Sequence, residues 1–505
     1  MPKTLRELAR SLPVLELAGN VDRPLAGIAY DSRDVLPGFL FVALDGLHTD
    51  GHGFVPDALS RGAAAVLHTR SVAIDQAVGY ARVANTRPLL SPLSAEFFDH
   101  PSRGLRVIGV TGTDGKSSTV WFIQQLLEAL GKKSGFLSTV SFQTGSEVVK
   151  NPFRQSTPEA PEIHGMLRDM ITNGKEYAVV EATSHGLSER TNRLGDVSFD
   201  AAVLTNVTHE HLEFHGTFQQ YRSDKANLFR ALSKPAQKAT ARPRFGVINK
   251  EDPSYEYFRA CTSVPVYSYG SKSDADLMAR SVAQDLSGCR FVLKDAFNER
   301  QAVLPIPGPF WVDNVLAAIL AVSKMLEIDP MDVVPLLPGL SCVKGRMERI
   351  DLGQPFIVVV DYAHTPGAFE KLMPWIRGHT PGRIIAVFGS AGERDVQKRP
   401  MQGEVASRHC DILVLTEEDP RGEDSMAILE QIAAGCHGRR GDTLHLVPDR
   451  AQAIRRAFSL AKAGDTVLLL GKGHEASIIG KNGPREYDER TQAEAVLREM
   501  DFHRA

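Results

Sequence analysis

Apolar residues along this chain follow two alternating patterns. Short apolar runs are separated by segments in which apolar positions recur at helical spacing. Residues 39–43 and 63–67 are strand-like, and Leu5, Leu8 and Leu12 alternate with charges at helical spacing. The N-terminus therefore predicts a short amphipathic helix and not a secretion signal. From residue 103 onward, apolar runs at 105–108, 177–180, 199–204 and 245–248 alternate with helix-patterned stretches. Such alternation predicts a parallel sheet wrapped by helices. A second series follows position 345, with runs at 356–360, 384–388, 412–415 and 466–470, and predicts another open α/β domain.

Breaks fall at His100-Pro101-Ser102 and at 340–343, the latter after a helix-rich stretch at 314–326. A chain of 505 residues exceeds a single core, so three α/β domains are expected, at 1–102, 103–342 and 343–505. With 58 Lys+Arg against 61 Asp+Glu, interspersed, the formal charge is −3, which gives no bulk footprint for nucleic acid. Five widely spaced cysteines without C-x-x-C pairing argue against zinc or disulfide chemistry and for a reducing cytoplasm. No apolar run approaches the roughly 18 residues of a membrane span, so no membrane insertion is expected.

The chemistry is concentrated just after the apolar runs. Residues 109–119 read GVTGTDGKSST between a strand and a helix. Gly112 and Gly115 admit backbone N–H groups to a polyphosphate, Lys116 reaches its terminal oxygens, and the Ser117 hydroxyl ligates Mg²⁺. The expected ligand is ATP or GTP, although Val110 stands where the strict motif has its first glycine. Glu181 ends the next strand as a Mg²⁺ ligand or a plain strand terminus. Residues 205–216 then crowd His209, Glu210, His211, Glu213 and His215 together, from which one imidazole is expected to join a Mg²⁺ shell or position substrate. Lys225 lies in a helical segment between apolar neighbours. Asp361 follows the strand at 356–360 and can accept from ribose hydroxyls or cap a turn. Arg394, Asp419, Arg421 and Glu475 follow three successive strands of the last domain. Their mixed charges suit a zwitterionic substrate with an additional charged end.

In order and spacing, TGTDGKSS, EATSHGL, LTNVTHEHLEFHG, YRSDKANLF, GRMERID, DYAHTPGA, FGSAGERDVQKRP, EDPRGED and LGKGHE resemble the Mur ligases, and among them the MurE branch. Asp31-Ser32-Arg33, Pro37-Gly38 and residues 40–43 resemble that branch's uridine-nucleotide module, with Ser32 in the substrate set. The resemblance spans essentially the whole chain. It implies a small N-terminal α/β uridine-nucleotide domain, a central P-loop ATPase-like domain and a C-terminal Rossmann-like domain that takes the amino acid, meeting at a cleft.

The implied activity is ATP-dependent addition of a diamino acid to UDP-MurNAc-L-Ala-D-Glu in peptidoglycan precursor synthesis. The acid is activated as an acyl phosphate and captured by the amine. By resemblance, Lys116, Glu181, His211 and Lys225 are catalytic. Ser117, Glu181, His211 and a carbamylated Lys225 surround Mg²⁺, and Gly112, Thr113, Gly115, Ser117, Ser118, Asn314, Arg346 and Asp361 hold ATP. Thr157, Pro158, Ser184 and either Arg190 or Arg193 match muropeptide contacts, since the segment 186–199 is longer than usual. Arg394, Asp419, Arg421, Gly471 and Glu475 match the amino-acid pocket. Arg421 favours meso-diaminopimelate through its distal carboxylate, whereas Asp419, standing where the family has asparagine, adds a negative charge that favours the amine of lysine or ornithine. A folylpolyglutamate synthetase-like ligase and a non-catalytic nucleotide-binding scaffold are the other readings. The protein is expected to be cytoplasmic and monomeric.

Overall fold

The computed structural model describes residues 3–45, 49–73, 75–153, 155–208, 212–235, 238, 243–272, 274–308 and 311–503. Three large sheets carry the chain, as the alternation predicts. The first has the spatial order Val14–Gly19, Gly79–Val83, Ala65–His68, Phe39–Val42, Gly27–Ala29 and is parallel except for its antiparallel edge strand Val14–Gly19. Leu5 and Leu8 of the helix Leu5–Ala9 pack into its core, and Leu12 is buried just beyond the helix.

The central sheet is parallel through Val266–Gly270, Phe245–Asn249, Ala201–Leu204, Arg106–Thr111, Tyr177–Glu181 and Ser134–Leu137, in that spatial order. Strands buried on both faces explain the near-continuous apolar runs. After Tyr177–Glu181 the chain crosses to the far side of Arg106–Thr111 and lays down Ala201–Leu204. That reversal opens the carboxyl end of Arg106–Thr111, the position where open α/β sheets bind ligands.

The C-terminal sheet runs Glu348–Ile350, Ile357–Asp361, Thr466–Leu470, Ile384–Phe388, Ile412–Leu415, Leu444–Leu446, and only Glu348–Ile350 is antiparallel. Thr466–Leu470, last of the four expected strands in sequence, inserts between the first two. The loops carrying Asp361 and Gly471 are thereby made neighbours.

By packing, the chain divides into two compact units. One comprises 1–280, 293–300 and 313–334, and the other 281–292, 301–312 and 335–505. The first sheet and the parallel central sheet thus share one unit. Strands Leu277–Asp285, Gly288–Lys294 and Glu299–Leu304, which the sequence pattern did not signal, contribute residues to both. Much of their length is exposed, and only Gly288–Lys294 alternates regularly, a weaker signal than the buried parallel runs. Among the described residues no helix is long and apolar enough to cross a membrane.

Candidate functional site

The segment between strand Arg106–Thr111 and helix Lys116–Ala129 turns through two glycines at positive φ. A Cβ on Gly112 would fall 1.8 Å from Thr205 Oγ1, and one on Gly115 would fall 2.3 Å from Asn314 Oδ1. Only glycine fits either place, and the fit brings Asn314 against the loop. Gly115 is also the left-handed residue that starts the helix, so the free N–H groups of the first turn face the same side as the loop.

Neighbouring elements lock this loop. The Thr113 and Asp114 N–H groups donate to the Asn206 carbonyl (2.7 Å) and Asn206 Oδ1 (2.9 Å), while Thr113 Oγ1 lies 3.0 Å from the Tyr221 hydroxyl. Two lysines serve the loop's carbonyls. Lys116 Nζ donates to Thr113 O at 2.7 Å, and Lys225 Nζ donates to Gly112 O at 2.6 Å. Lys225 is 1% exposed and sits over the Tyr221 ring. It is a buried residue of helix Phe218–Ser233 whose ammonium reaches the loop.

Glu181 is buried at the end of its strand and accepts three hydrogen bonds. The donors are Ser117 Oγ (2.8 Å), Thr139 N–H (2.9 Å) and Thr139 Oγ1 (2.8 Å). All three are neutral. Ionised carboxylates are costly to bury without a cation, so hard oxygen donors gathered at a helix start fit Mg²⁺. Thr139 is a participant that the sequence reading missed, since it belongs to no motif and is brought in by the strand Ser134–Leu137. His211 lies outside the described residues, as do His209 and Glu210.

Beside Glu181 the buried Thr157 hydroxyl meets Thr183 Oγ1 at 2.8 Å. Ser184 Oγ is 3.0 Å from His215 Nε2, whose Nδ1 is 2.7 Å from Asp224 Oδ2. That chain fixes the serine hydroxyl; His215 comes from the cluster expected to supply a metal-binding or substrate-positioning imidazole, and Asp224 was assigned no role from sequence. The two eligible arginines separate clearly. Arg193 Nη1 donates to Thr157 O at 2.8 Å, and its buried Nε has no hydrogen-bond partner among the described residues. Exposed Arg190 instead stacks on the Phe214 ring and donates to Phe214 O. In the first sheet's domain Ser32 is buried in a one-turn helix capped by Asp31.

The C-terminal unit builds its own site where its strands end. Asp361 Oδ2 and Oδ1 accept from the Met347 and Ala363 N–H groups, both at 2.8 Å, and burial raises its carboxyl above the usual range. Arg346 lies over the Tyr362 ring. Lys472, which the sequence reading passed over, is fully buried between Asp419 Oδ1 (2.9 Å) and Glu475 Oε2 (2.6 Å). The negative charge at Asp419 is therefore already matched by Lys472 and by the Ile479 N–H at 2.9 Å. Part of the acidic charge expected to meet a substrate amine is thus met inside the protein.

Arg421 takes a left-handed conformation (φ 54°) and donates its N–H to Ile479 O, and its buried Nε has no hydrogen-bond partner among the described residues. Arg394 is exposed. Glu418 is buried against Gly471, where a Cβ would sit 3.1 Å from its Oε2. Burial pushes its carboxyl up to about 7, while Lys398, Lys472 and Arg450 pull the other way.

Three family models match successive stretches of the chain. They are the Mur ligase family catalytic domain over residues 24–99, the Mur ligase middle domain over 110–322, and the Mur ligase glutamate ligase domain over 345–473. A UDP-N-acetylmuramyl-tripeptide synthetase of Roseiflexus sp. (strain RS-1) is 49% identical, covering 95% of this chain and 96% of its own. The UDP-N-acetylmuramoyl-L-alanyl-D-glutamate--2,6-diaminopimelate ligase of Syntrophomonas wolfei is 37% identical over 98% of this chain and 99% of its own. A solved UDP-N-acetylmuramoyl-L-alanyl-D-glutamate--2,6-diaminopimelate ligase superposes with a TM-score of 0.69 at 27% identity, covering 99% of this chain and 100% of that one.

Proposed function

Because this chain belongs to the Mur ligase family, we propose that it joins a diamino acid to UDP-MurNAc-L-Ala-D-Glu at the expense of ATP. The observation that carries this reading is the buried Glu181 carboxylate beside a phosphate loop whose carbonyls hold both Lys116 and Lys225. Ser117 and Glu181 would hold Mg²⁺ together with His211, and the ion supplies neutralisation of converging anionic oxygens. The helix start and Lys116 orient the triphosphate, with Thr113, Ser118 and Asn314 lining the same loop. Arg346 and Asp361 are assigned to the nucleotide by the family pattern alone.

The substrate's terminal carboxylate oxygen bonds to the γ-phosphorus as ADP leaves. The deprotonated amine then bonds to the acyl carbon, and phosphate leaves. Electrostatic positioning contributes most to such phosphoryl transfers. Thr157, Pro158, Ser184 and Arg193 hold the muropeptide, and Ser32 holds the uridine end. Lys225 is carbamylated in the working enzyme, which turns a buried cation into an anionic oxygen ligand.

For the amino acid, the Nε of Arg421, which has no hydrogen-bond partner among the described residues, favours a distal carboxylate. Since Lys472 cancels one of the Asp419 and Glu475 charges, one acidic charge remains for an ammonium. A distal centre bearing both groups, as in meso-diaminopimelate, satisfies the two together. Purified protein with ATP, Mg²⁺ and the dipeptide nucleotide should release phosphate fastest with meso-diaminopimelate and less with L-lysine or L-ornithine. If no amino acid supports turnover, the reading is wrong. Preference for L-lysine or L-ornithine would overturn the role given to Arg421.

A further inference from the structure

Glu159 belongs to none of the site assignments above, yet it occupies the joint between two of them. It directly precedes helix Ala160–Thr172 of the central domain and is 4% exposed. Each of its carboxylate oxygens is taken by a different arginine. Oε1 lies 3.1 Å from Arg193 Nη2, and Oε2 lies 2.8 Å from Nη1 of Arg87, which belongs to the first sheet's domain. Arg193 is thus held from two sides, by Glu159 and by the Thr157 carbonyl.

The loop that carries Arg193 is fastened to the same part of the first domain. Asn192 Nδ2 donates to Pro88 O at 2.9 Å, and the Asp196 N–H donates to Ser91 Oγ at 3.2 Å. One turn further along the helix, Glu162 accepts from the Tyr30 hydroxyl at 3.0 Å, immediately before Asp31 and Ser32. Carboxylate–guanidinium pairs with little exposure hold geometry tightly, because an unpaired charge there is costly.

From this arrangement we infer that Glu159 is a positioning residue for the nucleotide-peptide substrate. It fixes the guanidinium of Arg193 at the muropeptide end and ties it through Arg87 to the domain that holds the uridine end. The inference rests on the proposed function, and it assigns no contact between Glu159 and substrate. A residue acting this way governs the affinity for one substrate of three and leaves the ATP and amino-acid ends alone.

The test is steady-state kinetics on the full-length enzyme with each substrate varied in turn. Glu159→Gln should raise KM for UDP-MurNAc-L-Ala-D-Glu about tenfold, the scale of losing a charge-assisted hydrogen bond. KM for ATP and for the amino acid should stay put, and kcat should change by less than about twofold. Arg193→Ala should raise the same KM, and Glu159→Gln added to it should have little further effect, since both act through one guanidinium. Should Glu159→Gln fail to fold, Arg87→Gln, which removes one of the two arginines holding Glu159, should still raise that KM severalfold. An unmoved KM in the variants that fold, or effects that multiply in the double variant, overturns the inference while the functional reading stands. Wild-type protein inert toward the dipeptide nucleotide overturns both.

Discussion

The loop proposed to bind phosphate and the residues proposed to take the amino acid are both built at the carboxyl ends of parallel strands, but they use charge differently. In the loop, glycine backbone and two lysines serve carbonyls, and the single buried carboxylate Glu181 meets only neutral described donors. Such a site keeps its cationic demand open for a ligand. In the pocket, Lys472 is enclosed by Asp419 and Glu475, and Arg450 pairs with Glu489 behind Glu418. Much of the charge there is spent inside the protein, and what faces substrate is a remainder. The contrast teaches that residue types at a motif position do not by themselves give the charge a ligand meets.

The largest effect is expected at the loop. Lys225→Ala should lower kcat by about a hundredfold or more, as for loss of one pre-positioned electrostatic group. The amino-acid KM should be unmoved, and added short carboxylates should restore part of the rate if the lysine works as a carbamate. Loss without any rescue would argue for the unmodified ammonium, and unchanged turnover would remove Lys225 from the site.

Lys472→Met should do the reverse. It leaves Asp419 and Glu475 facing each other in a buried setting, where removal of one partner costs about 3–5 kcal/mol. Thermal unfolding should move down, and the amino-acid KM should rise about tenfold or more while the ATP KM holds. Equal effects on both KM values would erase the distinction between the two regions.

Glu418 sharpens the comparison through pH. Its carboxyl in the folded protein is raised to about 7 from the ordinary 4.5. Between those values the folded state binds more protons than the unfolded chain, so stability from this group is present below about 4.5 and is lost as pH rises through about 7. Glu418→Gln should therefore be near neutral at acid pH and stabilising at pH ~8 by up to about 3 kcal/mol, at 1.36 kcal/mol per pKa unit. Denaturant melts at the two pH values measure this, and an equal effect at both would show that Glu418 is not held protonated.

The smallest change is at Thr139. Thr139→Val removes the hydroxyl bond to Glu181 Oε1 but keeps the N–H bond to Oε2. A loss of about three- to tenfold in kcat/KM for ATP fits one hydrogen bond. No loss would show that the backbone donor alone orients the carboxylate.

Several elements were legible because their signal is local. The strands Ile384–Phe388, Ile412–Leu415 and Thr466–Leu470 stand where the apolar runs placed them, since strands buried on both faces admit almost nothing polar. The loop from Gly112 to Ser117 was readable for a related reason, because its glycines answer steric demands at fixed spacing. Strands Leu277–Asp285 to Glu299–Leu304 were not readable, since they are partly exposed and lack that continuity. Thr139 and Lys472 were missed because their partners lie 42 and 53 residues away in Glu181 and Asp419.

The sequence by itself determined the buried parallel strands, the glycine loop and the family to which the chain belongs. These depend on short-range periodicity, on glycine sterics and on motifs a few residues long. Only the tertiary structure decided which of Arg190 and Arg193 sits with Thr157, that Lys225 is buried, and that Lys472 offsets Asp419. Those outcomes depend on which side chains distant in sequence share a low-dielectric interior, where a charge must find its partner or give up its proton.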